Sequence, residues 1–292
     1  STTPIWMMRQ AGRYLPEYRS IRASQKDFIS FCLNPDRASA VSLQPITRYG
    51  FDAAIIFSDI LMVPWALKQN VRFQPNVGPL LDPLDMPGSL DQRLIDDLPK
   101  KLAPVAEAIR LTRASLSPET ALIGFAGAPW TIMTYMVEGG SSRDFLKTRR
   151  WAWQYRKESD ALLESLIEST ICFLSLQAEA GADVLMLFDS WSHMIPSNFF
   201  RKCAIDPTAK IISMLKSKNV TKPIIGLPFK AGSSLIDYSY ESNVNCIALD
   251  WTVNLNWAIK NLNSSIAIQG NLDPASLIPF NSSHLENIVL SI

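Results

Sequence analysis

The sequence holds only two histidines, His193 and His284, and four cysteines, Cys32, Cys172, Cys203 and Cys246. The cysteines are widely separated and form no CxxC pair, which argues against a zinc knuckle or a thioredoxin-type redox pair. Two histidines are too few for a His-rich metal site, and Ser-His-Asp chemistry would have to run through His193. A chain of this size does not need a disulfide framework, so four inert thiols in a reducing cytoplasm are expected. No GxGxxG or GxxxxGK[ST] occurs. Gly124 to Gly127 has the wrong spacing and no basic residue follows it, so nucleotide binding is unsupported. Gly139-Gly140-Ser141-Ser142 reads as a turn after Tyr135 rather than a phosphate loop. With Lys+Arg 28 against Asp+Glu 27, the formal net charge is +1. Nothing general therefore points to nucleic acid or an acidic membrane surface, and any electropositive site must be local. No apolar run approaches the roughly 20 residues that span a bilayer. The N-terminus has no signal-peptide pattern. It begins at Ser1 rather than Met, so a few residues are expected to be missing upstream.

What is present is ordinary globular composition, 47% hydrophobic and 19% charged over 292 residues. Six β-branched runs end in small or polar residues: 52–59, 122–127, 182–190, 223–228, 246–251 and 265–273. Near-continuous apolar runs of this length suit strands buried on both faces of a parallel sheet. Helical spacing marks 91–115, 154–180 and 205–219, with Ala180-Gly181 as a glycine stop. Repeated β–α alternation predicts right-handed crossovers and a parallel sheet, either an eight-fold barrel or an open doubly wound sheet. The Pro/Gly-rich stretch 74–88 reads as a hairpin with a loop rather than a domain boundary. Polar residues gather at the C-terminal ends of the strands: Ser58 and Asp59, Asp189 and Ser190, Asp250, and Asn271 with Asp273. Barrels and open α/β sheets both bind ligands there.

Arg9 and Arg13 stand four residues apart, beside Trp6, Met7, Met8 and Tyr14. Arginine keeps its charge and forks onto carboxylates or phosphates. Gly12 between them permits close backbone approach or a positive φ. The run reads as an anion-gripping loop at a pocket mouth, against a plain solvated basic face. Asp59 follows an apolar run and precedes Ile60-Leu61-Met62. It is either a partly desolvated carboxylate that steadies a developing cation or a helix N-cap, a role Ser58 could fill instead. Tyr135 either offers its hydroxyl to a carboxylate or packs its ring.

These residues resemble a known family. The run MRQAGRYLPEY from Met8 to Tyr18 is similar to the N-terminal signature of the uroporphyrinogen decarboxylases. The stretches Gly124–Thr131, Met133–Gly140, Asp52–Val63, Leu249–Thr252 and Gln269–Pro274 are similar to further family motifs, in the family's order along the whole chain. The resemblance implies a (β/α)8 TIM barrel in a single domain over 1–292, assembled as a homodimer in the cytoplasm. It implies a carboxy-lyase of haem and porphyrin biosynthesis. The reaction would convert the four acetate side chains of uroporphyrinogen III to methyls, giving coproporphyrinogen III without cofactor or metal.

Carried over position by position, the resemblance gives Arg9 and Arg13 to substrate carboxylates, with Gln10, Ala11 and Gly12 completing that loop. Asp59 would accept pyrrole N–H groups and stabilise a cationic intermediate. Tyr135 and Ser190 would contact substrate, and Phe188 would lie against the macrocycle. Arg9 is also a candidate proton donor, although its high pKa makes it an unusual acid.

One departure stands out. The family carries an Asn-Leu-Gly-His-Gly motif on its last barrel strand, and neither His193 nor His284 matches it. The expectation is a longer natural protein, with the last β/α unit absent from this chain and the domain C-terminally incomplete. Two alternatives remain. One is a cobalamin- or thiol-dependent methyltransferase with a zinc site, for which Cys246 sits at the wrong end of its run and has no histidine beside it. The other is a barrel that binds a tetrapyrrole without turning it over.

Overall fold

A computed structural model describes residues 3–75 and 77–278. Six parallel strands form one sheet. The first is β1 (Ala53–Ile55). An antiparallel hairpin of β2 (Val71–Gln74) and β3 (Gly78–Leu81) follows outside the sheet, where the Pro/Gly-rich excursion was expected. The sheet continues with β4 (Ala121–Gly127), β5 (Val184–Asp189), β6 (Ile224–Pro228), β7 (Cys246–Ala248) and β8 (Ala267–Gln269). Its spatial order is β1-β4-β5-β6-β7-β8, which is the sequence order with the hairpin removed. Every strand therefore lies next to its predecessor, and helices fill the crossovers. This is an α/β fold of the TIM-barrel-like kind.

The sheet curls. The segment around Ile5 runs along β1, with the Asp52 amide donating to the Ile5 carbonyl at 3.0 Å. The adjacent Trp6 indole donates from Nε1 to Gln269 Oε1 on β8 at 3.0 Å. One short segment thus touches both outer strands, and it covers the β1 edge that would otherwise expose unpaired backbone.

Strand interiors are apolar on both faces, as parallel strands between helices must be. Leu122, Leu185, Met186 and Ile247 are inaccessible to solvent. The helix Arg156–Glu179 lays Leu162, Leu166, Phe173 and Leu174 against this core. It is long and apolar enough to cross a membrane by length and composition, with a mean hydropathy of 1.3 in its best window, but 67% of that window is buried among its neighbours. The expected helix 91–115 is three pieces, Gln92–Asp96, Leu98–Lys101 and Ala103–Ser115. Pro99 and Pro104 each lack an N–H and start a new piece. The expected helix 205–219 is Asp206–Ser217, entered through a wide turn at Arg201–Ile205.

One packing detail shapes the site. Pairing of β1 with β4 ends at Ile55 opposite Ile123. Beyond it, the backbone of Phe125 has no strand partner on that side among the described residues. Gln177, fully buried on the long helix, takes the place of a strand: its Oε1 accepts from Phe125 N at 2.8 Å and its Nε2 donates to Phe125 O at 2.7 Å. The chain after β1 is thereby released from the sheet and turns across its end, carrying Asp59.

Candidate active site

Asp59 lies in the turn that follows β1. Its Oδ1 accepts from Leu61 N at 2.8 Å, and its carbonyl accepts from Met62 N at 3.2 Å. It therefore caps its own turn, while the buried Ser58 hydroxyl has no partner among the described residues. The other carboxylate oxygen accepts no bond among the described residues. Ile56, Leu61, Met62 and Val63 are buried around this turn. Desolvation lifts the Asp59 pKa to about 6, opposed by the Leu61 amide and by the positive charge of Arg9. A carboxylate in an apolar surround, with one nearby guanidinium and one spare oxygen, is primed to accept a cation or N–H donors.

Arg9 reaches the same place from the N-terminal loop. That loop is fixed by Gln10, which is 2% exposed. Gln10 Nε2 donates to Ala53 O at 2.6 Å, and its Oε1 accepts from Ile55 N at 3.3 Å. Its own carbonyl accepts from the Tyr14 hydroxyl. Gln10 thus acts as an extra strand residue beside β1, leaving Arg9 and Arg13 to project outward. Both arginines are exposed, and neither forms an ion pair among the described residues. Gly12 does not use a positive φ, and its carbonyl instead closes a turn to Leu15 N at 3.0 Å. Ala11 is half-buried and packs toward Leu15 and Tyr18. The Arg13 carbonyl accepts from the Arg19 guanidinium at 2.8 Å.

Tyr135 comes from the helix Pro129–Glu138, which begins with proline and stops at Gly139 in the left-handed region, φ +79°. A Cβ on Gly139 would meet the Leu81 carbonyl at 2.9 Å, so this glycine lets the hairpin dock against the helix end. Burial raises the Tyr135 pKa, the Trp191 indole lowers it, Asp59 raises it and Arg9 lowers it. Tyr135 therefore shares one electrostatic neighbourhood with Asp59 and Arg9. Its ring also packs edge-on to Trp191 at 6.2 Å, as the packing reading of this residue expects.

Phe188 and Asp189 point to opposite faces of β5, as neighbours in a strand do. Phe188 meets the Phe125 ring edge-on at 5.3 Å. Asp189 turns to Thr131, whose Oγ1 donates to it at 2.6 Å and accepts from Trp191 N at 3.1 Å. Asp189 is 3% exposed, and desolvation pushes its pKa up to about 7. Ser190 follows at the strand end, half-buried. A groove of about 750 Å³ lies elsewhere, between helices on the exterior, where Glu164, Glu168, Lys210 and Met214 line it. None of the strand-end residues borders it.

A family model described as uroporphyrinogen decarboxylase (URO-D) matches residues 1–292. The chain belongs to the uroporphyrinogen decarboxylase family. It is 44% identical over 277 residues to the uroporphyrinogen decarboxylase of Maricaulis maris, covering 95% of this chain and 80% of that one. It is also 44% identical over 279 residues to the uroporphyrinogen decarboxylase of Cereibacter sphaeroides, covering 95% and 81%. A methyltransferase from Methanosarcina mazei shares the fold, with a TM-score of 0.72 and 16% identity over 90% of this chain and 76% of that one. That likeness extends to the fold alone. Cys246 opens β7 with its thiol raised to about 11 by burial. Among the described residues no three His, Cys, Asp or Glu side chains gather as metal ligands.

Within this decarboxylase, residue-by-residue reading missed the support around the site. Gln10 was visible only as part of a motif, although a glutamine amide is one of the few side chains that can imitate a strand. Trp191 and Thr131 carried no sequence signal beyond lying next to Ser190 and Trp130. His284 lies outside the described residues.

Proposed function

We propose that the C-terminal end of this sheet is the decarboxylation site, with Asp59 as its central charge. The chain is a uroporphyrinogen decarboxylase, a carboxy-lyase of haem and porphyrin biosynthesis. It removes carbon dioxide from the four acetate side chains of uroporphyrinogen III to leave methyls, giving coproporphyrinogen III. An acetate on a pyrrole does not lose carbon dioxide directly, because the carbanion left behind is unstabilised. Protonating a pyrrole ring carbon makes the ring an electron sink. The C–C bond to the carboxylate then breaks, carbon dioxide leaves and its bonding electrons neutralise the ring as an exocyclic methylene; that carbon is protonated to a methyl and the ring carbon gives back the proton it took up.

Such a path needs a negative charge held near the ring in a poorly solvated place. The observation that carries the assignment is Asp59: a desolvated carboxylate with the Arg9 charge nearby and one oxygen that accepts no bond among the described residues. Asp59 accepts pyrrole N–H groups and stabilises the ring cation. Arg9 and Arg13 bind peripheral carboxylates, on a loop whose backbone is Gln10, Ala11 and Gly12. Tyr135 and Ser190 contact the substrate with their hydroxyls, and Phe188 lies against the macrocycle. Arg9 is better suited to binding than to proton donation, since guanidinium holds its proton too tightly for a general acid near neutral pH. These side chains perform the reaction without metal or organic cofactor.

We further infer that residues 1–292 form one domain and that the six strands, with the Ile5–Trp6 segment in the place of a seventh, are successive units of a (β/α)8 barrel lacking its last β/α unit in this chain. The supporting observation is that β1 and β8 are not paired with each other among the described residues, whereas a closed barrel joins every strand on both sides. The family resemblance supports a homodimer. Four free thiols support the cytoplasm as its compartment.

The test is anaerobic incubation with uroporphyrinogen III, followed by oxidation and separation of the porphyrins by carboxylate number. Stepwise appearance of seven-, six-, five- and four-carboxylate products is expected. Binding without any loss of carbon dioxide would instead favour a tetrapyrrole carrier.

A further inference from the structure

Beyond Tyr135, a chain of aromatic contacts continues across the ends of β5, β6 and β7. The Trp191 ring lies 5.8 Å from His193, His193 lies 6.2 Å from Phe229, and Phe229 lies 5.7 Å from Trp251. At the far end, Lys230 Nζ sits 5.4 Å from the centre of the Phe229 ring and 5.1 Å from that of Trp251. Lys230 is exposed and forms no ion pair among the described residues.

The backbone here is held in place at a cost. Lys230 has φ +55°, a left-handed conformation unfavourable for a residue with a side chain. Asp250, 6% exposed at the end of β7, compensates by accepting from Lys230 N at 2.9 Å. The same carboxylate accepts from the backbone and hydroxyl of Thr252. A buried acid is thus spent on locking two loops so that one lysine stands over two rings. A lysine needed only for solubility requires no such arrangement.

We propose that Lys230, seated on Phe229 and Trp251, is a further substrate-positioning residue: it receives a peripheral carboxylate of the tetrapyrrole on the side of the site away from the Arg9–Arg13 loop. The inference rests on the reading that the strand ends hold the substrate. A polycarboxylated macrocycle needs cations on more than one side to be oriented, and the aromatic arc from Tyr135 to Trp251 supplies flat apolar contact between them. Asp250 acts through Lys230 and touches no substrate.

The test compares Lys230→Gln and Lys230→Arg with the parent enzyme, using uroporphyrinogen III as substrate. Lys230→Gln is expected to raise KM roughly fivefold to tenfold while kcat changes little, the size of one lost charged contact. Lys230→Arg should restore KM. Lys230→Gln should also flatten the rise of KM with added NaCl, which a merely structural lysine would not do. An unchanged KM, or equal impairment in both variants with an unaltered salt response, overturns the proposal. Asp59→Asn run in parallel separates the two levels. If it abolishes turnover while Lys230→Gln has no effect, the site stands and the lysine subsite falls; if Asp59→Asn turns over normally, the site reading itself fails.

Discussion

The Gln10 side chain is hydrogen-bonded to the Ala53 carbonyl at 2.6 Å, which makes the arginine loop a lateral extension of the first strand. Its oxygen returns the bond by accepting from Ile55 N. The positions of Arg9 and Arg13 are therefore set by the sheet rather than by the loop alone.

Replacing Gln10 with Ala should show this coupling. It strands a buried carbonyl and a backbone N–H, and a loss of about 1–3 kcal/mol in unfolding free energy is expected. KM for uroporphyrinogen should rise as well, because the arginines lose their register. Denaturant melts and steady-state kinetics on the same preparation check both effects.

Asp59 is held ionised at a cost to stability. Its folded pKa of about 6 lies above the ordinary value of 3.8. Its contribution to stability is therefore full below pH 3.8 and is lost as pH rises through about 6. Asp59→Asn keeps an oxygen for the Leu61 amide and removes the charge. The variant should be more stable than the parent at pH 8, by on the order of 2–3 kcal/mol, with the gain vanishing near pH 4. Paired urea melts at the two pH values measure it; a variant less stable at pH 8 would show that the carboxylate is not held at a cost.

The same sign applies to Asp189, whose pKa of about 7 comes from burial with Thr131 as its hydrogen-bond donor. Thr131→Val removes that donor. It should destabilise the fold by about 1–3 kcal/mol at pH 8 and by less at pH 5, where Asp189 is protonated and needs the donor less. It should also loosen Trp191, seen as a change in tryptophan fluorescence, since Thr131 holds the Trp191 amide.

Gly124 makes room for the helix amide that replaces the missing strand. A Cβ there would lie 2.7 Å from Gln177 Oε1. Gly124→Ala should displace Gln177 from Phe125 and cost about 1–3 kcal/mol, read as a lower thermal midpoint.

Much of this architecture was legible in the sequence, because its parallel strands are short apolar runs that end in polar residues. The runs ending at Asp59, Asp189 and Asp250 all lead into strand ends, and the hairpin at 71–81 fell where proline and glycine crowd together. Helix continuity was not legible at 91–115, where apolar spacing persists through Pro99 and Pro104 although the backbone breaks there. The helix Leu146–Gln154 was missed because few of its residues are buried and no side chain caps its start. Within the site, Arg9, Asp59 and Tyr135 were legible and do share one neighbourhood. Gln10 as a strand mimic and Asp250 as a clamp on Lys230 depend on contacts between residues far apart in the chain, and local pattern carries no trace of them.

The measurement that bears most directly on the account is single-turnover decarboxylation by Asp59→Asn against the parent enzyme under anaerobic conditions, with products separated by carboxylate number and folding checked by circular dichroism. The account predicts that the parent forms porphyrins of seven, six, five and then four carboxylates, while the folded variant binds the substrate and forms none of them. Turnover by the variant at a rate near the parent's would contradict it, since the reaction would then proceed without the negative charge on which it depends.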